Sequence, residues 1–203
     1  MVLSDLAALI LSRATHSRRF IVAITGAPGS GKSTVSERLV AALGPSAAIV
    51  PMDGYHMDNA ILDARGWRAR KGAPYTFDVA GLAQDLARVR ADQGDVFVPV
   101  FDRALDLSRG SARAIGAEVR IVLVEGNYLL LSVNPWPDLA GQFDLTVRLD
   151  VPYSVLETRL SQRWLDLGLD LETARARVQG NDLPNARQAV EQSRDADLVL
   201  KGY

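Results

Sequence analysis

The sequence predicts an α/β fold: a mainly parallel, five-stranded sheet covered on both faces, three layers in all. Two patterns carry this expectation. Apolar runs of strand length alternate with segments of helical period. Runs such as IVAIT and IVLVEG are continuously apolar, as strands buried on both faces require.

In chain order, Leu3, Leu6, Leu9 and Ile10 recur at helical spacing and predict an amphipathic packing helix. The run Leu6–Leu11 is too short for a signal-peptide core, and Asp5 precedes it where positive charge is expected. Phe20–Thr25 reads as the first strand, Lys32–Leu43 as the next helix and Ala47–Met52 as the second strand. Asp53–Asp78 lacks strong periodicity and reads as a long loop before a helix at Val79–Asp92. Val96–Phe101 is the third expected strand, and Asp102–Gly116 reads as a second long loop. Val119–Val124 and Leu145–Leu149 complete the five strands, with a weaker sixth at Leu198–Leu200. Helical patterns cover Tyr153–Leu167, Leu171–Gln179 and Asn185–Ser193. Long loops in a compact domain are often functional.

The 203 residues suggest one domain spanning 1–203. Hydrophobic residues at 48% and charged residues at 23% exclude a disordered or collagen-like chain. The net charge of -1 gives no reason to expect a nucleic-acid partner. The absence of cysteine excludes thiol catalysis, cysteine-zinc sites and disulfides, and fits a reducing cytoplasm. No apolar run approaches the ~18–20 residues that span a bilayer, so no membrane insertion is expected. Only Lys32, Lys71 and Lys201 are lysines, which makes a lysine in a special position conspicuous.

One lysine closes a motif. Gly26, Ala27, Pro28, Gly29, Ser30, Gly31, Lys32 and Ser33 match G-x-x-x-x-G-K-[ST], between an expected strand and an expected helix. Such a pattern arises by chance in roughly one chain of this length in a hundred. Glycines let backbone N–H groups converge on phosphate oxygens, and the following helix aims its positive end at the same anion. Lys32 is placed to reach the β- and γ-phosphates, Ser33 to ligate Mg²⁺, and Thr34 follows within the same nucleotide-binding stretch. No N-K-x-D occurs, so the usual guanine reader is missing. The strand Ile121–Val124 ends in Glu125-Gly126, not in the aspartate of a standard Walker B.

Further motifs follow in order: Asp53-Gly54-Tyr55-His56, then Arg70-Lys71-Gly72-Ala73-Pro74, Thr76-Phe77-Asp78, Phe101-Asp102-Arg103 and Glu125-Gly126-Asn127-Tyr128. From Phe20 onward the chain resembles the uridine kinase, phosphoribulokinase and bacterial pantothenate kinase group. It looks most similar to a bacterial subgroup described as fructose transport system kinases, itself similar to a fungal ATP-dependent kinase of unknown substrate. The resemblance implies a P-loop NTPase fold with a small helical lid at about 159–180, ATP and Mg²⁺ as cofactors, a small-molecule acceptor and a homodimer or larger oligomer.

It also implies roles for residues. Asp53 ends a strand, where open α/β sheets bind ligands, and corresponds to the family's general base; a turn or cap role is the alternative. Glu125 is placed to serve Mg²⁺ or the acceptor. Arg65, Arg68, Arg70 and Lys71 form a basic loop, either solvated or steering anions, with Lys71 in the family motif. Tyr55, His56, Phe101 and Arg103 are expected to line the acceptor pocket. Arg159 and Arg163 share a helix face, and Arg163 is the favoured lid cation for the γ-phosphoryl group. Asn185 is the candidate for contact with adenine; polar capping between two helices explains Asn181–Ala186 equally well. Together these imply a kinase that phosphorylates a hydroxyl, first of all on a sugar such as fructose. A nucleoside, held by Tyr55, Trp67 and Tyr75, or a pantothenate-like acid, answered by Arg103, are alternatives. An ATP-binding switch without a small acceptor is the rival of another class.

Overall fold

The protein is described here by a computed structural model covering residues 2–202. Five parallel strands form the main sheet: β1 (Phe20–Gly26), β2 (Ala47–Pro51), β5 (Ile121–Gly126), β6 (Leu145–Asp150) and β7 (Leu198–Lys201), in the order β2-β5-β1-β6-β7. The central strand β1 is buried along its whole length. Its side chains alternate between two cores, as the two-residue period of a strand demands. Ile21 and Ala23 join Val122 and Val124 of β5 on one face. Phe20, Val22 and Ile24 join Ile121 and Leu123 on the other.

Helix α1 (Leu3–Ala14) and helix α2 (Lys32–Leu43) cover the second face, with Leu6, Ile10, Val35 and Leu39 buried against it. The expected helical period near the start is therefore a packing stripe. The first face is covered by α4 (Val79–Ala91), through Leu82, Leu86 and Val89, and by the turn that holds Trp136. Among the described residues, no helix is long and apolar enough to cross a membrane.

Several expectations are corrected, two of them in one arm. Val96–Phe101 forms a strand, but outside the main sheet: β3 (Val96–Asp102) pairs antiparallel with β4 (Leu107–Ile115) in a separate two-stranded arm. The fifth sheet position is taken by β7. The segment Asp102–Gly116 is therefore mostly strand. Burial on β3 explains the first error: Val96 and Val98 are buried, whereas Phe97 between them is exposed. An apolar residue on the outward face hides the alternation of a one-sided strand. Irregularity explains the second. Val98 pairs with Arg113 and Val100 with Arg109, so β4 bulges around Ser111, whose φ is 53°. Pro99 lies at the slip and has no N–H for the ladder. The long loop Asp53–Asp78 also contains a short helix, α3 (Asn59–Ala64), and three single turns of 3₁₀ helix.

Beyond β6 the chain folds into α5 (Tyr153–Asp166), α6 (Leu171–Arg177) and α7 (Leu183–Glu191). A π-helical turn at Val178–Asp182 joins α6 to α7 without a break. This corrects the expected capped boundary: Asp182 makes no capping bond. Its carboxylate accepts from the Trp164 indole at 2.6 Å instead, tying the π turn to α5. Leu156, Leu160, Val178 and Ala186 form a small third core beside Ala27 of the phosphate loop.

Candidate active site

The carboxyl ends of β1, β2 and β5 open toward one edge of the sheet, where ligands of open α/β folds bind. The glycine-rich turn follows β1. Gly29 and Gly31 have φ values of 80° and 88°, a left-handed conformation that other residues seldom adopt. Gly31 is the residue from which α2 starts, so the turn delivers its N–H groups and the helix end to one place. A Cβ on Gly29 would stand 3.1 Å from Leu160 of α5, which leaves the phosphate loop packed directly against that helix. Arg159 donates to the Gly29 carbonyl at 3.3 Å from the same side.

Lys32 is buried, its ammonium donating to the Ala27 carbonyl at 3.0 Å. Burial pushes it down to about 8, against the opposing attraction of Glu125 and Asp53. Ser33 Oγ donates to both oxygens of Glu125, at 3.2 and 3.1 Å. Burial raises the Glu125 carboxyl above its ordinary value and Asp53 adds to the rise, while Lys32 and Ser33 pull it back. A hydroxyl beside a carboxylate is an oxygen donor set suited to Mg²⁺, which takes one or two protein oxygens alongside phosphate. Among the described residues no cluster of three or more His, Asp or Glu side chains forms a separate metal site.

Asp53 sits on the 3₁₀ turn Met52–Tyr55 that follows β2. Its carboxylate pairs with Arg103, which extends from the end of β3, at 3.1 Å. Ser33, Asp53, Phe101, Arg103 and Glu125 line one cleft of about 200 Å³. The elements meet tightly here. A Cβ on Gly54 would stand 2.3 Å from the Pro99 carbonyl oxygen, and one on Gly126 would stand 2.5 Å from Met52.

Arg163 lies on α5, 3.8 Å from Asp182. Burial lowers its basicity; Asp182 opposes that, Arg103 adds to it, and Asp53 opposes it. The guanidinium therefore senses the charges at the mouth of the cleft.

Other expected site residues stand elsewhere. Tyr55 is turned into the core, its hydroxyl donating to Asp85 of α4 at 2.9 Å, so it does not line the cleft. Trp67 and Tyr75 meet edge to face, with ring centroids 5.1 Å apart, and present no parallel pair for a base. His56 is wedged between Phe77 and Phe101, at 4.1 and 4.7 Å. Its Nδ1 lies 2.7 Å from the Asp53 carbonyl, so that nitrogen carries the proton. Lys71 donates to Asn59 at 2.7 Å and pairs with Asp106 at 2.9 Å, its ammonium 4.9 Å from the Phe101 ring. Asn185 is buried, accepting from Arg70 at 3.0 Å and donating to Asn181 at 3.2 Å. Two cleft residues, Glu37 and Arg113, carry no motif in the sequence. Glu37 lies one turn beyond Ser33, a helical spacing that offered a signal.

The sheet order, the phosphate loop and the Ser33–Glu125 pair define a P-loop phosphotransferase architecture. No family model matches the chain. It is 46% identical to a Silicibacter sp. TM1040 protein provisionally described as a fructose transport system kinase, with a TM-score of 0.93 over 98% of this chain and 99% of that one. It is 33% identical to the provisionally named uridine kinase C227.14 of Schizosaccharomyces pombe, over 92% of this chain and 84% of that protein. It is 30% identical to a pantothenate kinase of Streptomyces coelicolor, over 71% of this chain and 46% of that protein. The chain belongs to the P-loop kinases of the uridine kinase and pantothenate kinase group.

Proposed function

We propose that the protein transfers the γ-phosphoryl group of ATP to a hydroxyl of a small molecule, with a sugar such as fructose as the first acceptor to test. The observation that carries this reading is the meeting of Lys32, the Ser33–Glu125 pair and Asp53 at the mouth of one cleft. The sugar rests on the similarity to the Silicibacter protein. A nucleoside is less favoured, because the cleft is lined by one aromatic residue, Phe101, and no stacking pair.

In this reading the backbone of Gly26–Lys32 and the Lys32 ammonium hold the phosphates. Ser33 and Glu125 are the residues that would hold Mg²⁺, which when bound shields the phosphate charge. Asp53 takes the proton of the attacking hydroxyl as its oxygen bonds to the γ-phosphorus and ADP departs. Arg163 answers the charge on the transferred group. Catalysis is then mostly positioning and electrostatics. A cysteine-free chain using ATP and Mg²⁺ suits the cytoplasm.

The test is ADP release with ATP and Mg²⁺ across sugars, nucleosides and pantothenate. Asp53→Asn is expected to lower kcat ~10²–10⁴-fold with ATP affinity retained. An unchanged kcat removes Asp53 from the base role. ADP release that no acceptor stimulates favours the nucleotide switch instead.

A further inference from the structure

Arg113 lies in the middle of β4, a segment with no motif, yet it lines the same cleft as Asp53. It is half-buried, and its guanidinium donates to the Ile49 carbonyl on the edge strand β2 at 2.8 Å. That bond fixes the fork and uses one of its five N–H groups. Among the described residues no carboxylate lies within 4 Å of it. The contrast with neighbouring arginines is plain. Arg103 is engaged by Asp53 and Arg109 by Asp102. The two other cleft carboxylates are associated with the phosphate loop and its helix: Glu125 is bonded to Ser33, and Glu37 lies on the same α2 face as Ser33. The cleft is also lined by Ile49, Pro51, Val100 and Phe101, which offer apolar surface and no charge.

We infer that Arg113 is a specificity-determining residue for an acceptor that carries a carboxylate or phosphate group besides the hydroxyl that Asp53 activates. The inference rests on the kinase reading above and narrows its acceptor class. A guanidinium fixed by one backbone bond, with donors left over, is preorganised for an anion, because little side-chain freedom remains to be lost on binding. The shared chemistry is the anion; carboxylate and phosphate monoester are its two sources.

The experiment compares matched acceptors with ATP and Mg²⁺: glycerol against glycerate, fructose against fructose 1-phosphate and fructose 6-phosphate, and pantothenol against pantothenate. An anionic member is expected to show kcat/KM at least ~10-fold above its neutral mate. Arg113→Gln is expected to collapse that ratio by lowering kcat/KM for the anion ~10–100-fold, mainly through KM, and Arg113→Lys to restore part of it. Turnover of a neutral member as efficient as its anionic mate in wild type overturns the inference while upholding the kinase reading, whatever the variants do. A second arm reads binding without turnover. The nucleotide site is filled with a non-hydrolysable ATP analogue and Mg²⁺, and inorganic phosphate is titrated by calorimetry. Binding weakened at least ~5-fold by Arg113→Gln supports the anion subsite even where no acceptor in the panel releases ADP, a result that would sink the kinase reading alone. Equal phosphate binding by wild type and variant, or none by either, overturns it.

Discussion

Arg103 bridges from the β3–β4 arm to Asp53, its Nη2 3.1 Å from Oδ2. The Arg103 side chain is 64% exposed and that of Asp53 28%, so water screens the pair and it contributes little to folding. Its consequence is orientation: the arm that lines the cleft is fastened to the carboxylate proposed as the base. Arg103→Gln is expected to change unfolding free energy by less than about 1 kcal/mol. The same variant is expected to lower kcat/KM ~10–100-fold, since small displacements of a catalytic group are costly. Urea melts and steady-state kinetics on the same preparation check both; full activity would show that Asp53 needs no such fastening.

The pH dependence of stability isolates the turn below Asp53. Burial pushes the His56 imidazole below its ordinary 6.5; Asp53 and the bond to its carbonyl oppose that, while Lys71 and Arg103 reinforce it. Below 6.5 the unfolded chain therefore takes up a proton at this position before the folded protein does. Stability falls as pH drops from about 6.5 through the lower folded value, and this loss is absent above that window. His56→Gln is expected to flatten this part of the curve between pH 7 and 5. The only other histidine, His16, is exposed. Chemical denaturation at several pH values checks the prediction; parallel curves for the two proteins would contradict it.

The legible parts of the chain were those where one local pattern has one structural solution. The phosphate loop was read residue by residue, because left-handed glycines before a helix are a backbone requirement that neighbours cannot replace. The strands β1, β5 and β6 were legible because burial on both faces leaves an uninterrupted apolar run. The β3–β4 arm is not legible locally because its pairing is non-local: Val96 meets Ile115, and the intervening bulge erases the period. The inward turn of Tyr55 is hidden for a related reason. Its neighbour Asp53 lines the cleft, but the 3₁₀ turn sends the Tyr55 side chain inward to Asp85, a partner 30 positions away.

The docking of that arm depends on one glycine. Gly54 has an ordinary φ, so space is what requires it: an added Cβ would lie 2.3 Å from the Pro99 oxygen and 2.6 Å from its carbonyl carbon. Neither atom belongs to a flexible side chain that can yield. Gly54→Ala is expected to destabilise the fold by more than ~2 kcal/mol, as overpacking against backbone does. Gly110→Ala on the same arm, with open space around it, is expected to stay within about 0.5 kcal/mol. Thermal melts of the pair check this; equal melting temperatures would mean the arm shifts freely.

Arg70 and Asn185 decide between two accounts of the 65–78 loop. As a phosphate-steering loop, its arginines would face the nucleotide. Instead Arg70 donates to the Gly180 carbonyl at 2.8 Å and to Asn185 at 3.0 Å, and Asn181 donates to the Lys71 carbonyl at 3.1 Å. The loop is thus sewn to the π turn that joins α6 to α7. A π turn leaves its carbonyls imperfectly paired along the helix, and a guanidinium is suited to take one of them. Removing Arg70 strands the buried Asn185 oxygen, so Arg70→Met is expected to cost about 1–3 kcal/mol. Asn185→Leu should cost a similar amount. The double variant should cost less than the sum, by about 1 kcal/mol or more, because the two share one contact. Neither change is expected to alter the preference for ATP over GTP. Urea melts of the four-member cycle and nucleotide titrations check both parts: strictly additive energies would dissolve the tie, and a weakened ATP affinity with intact stability in Asn185→Leu would return that residue to the adenine.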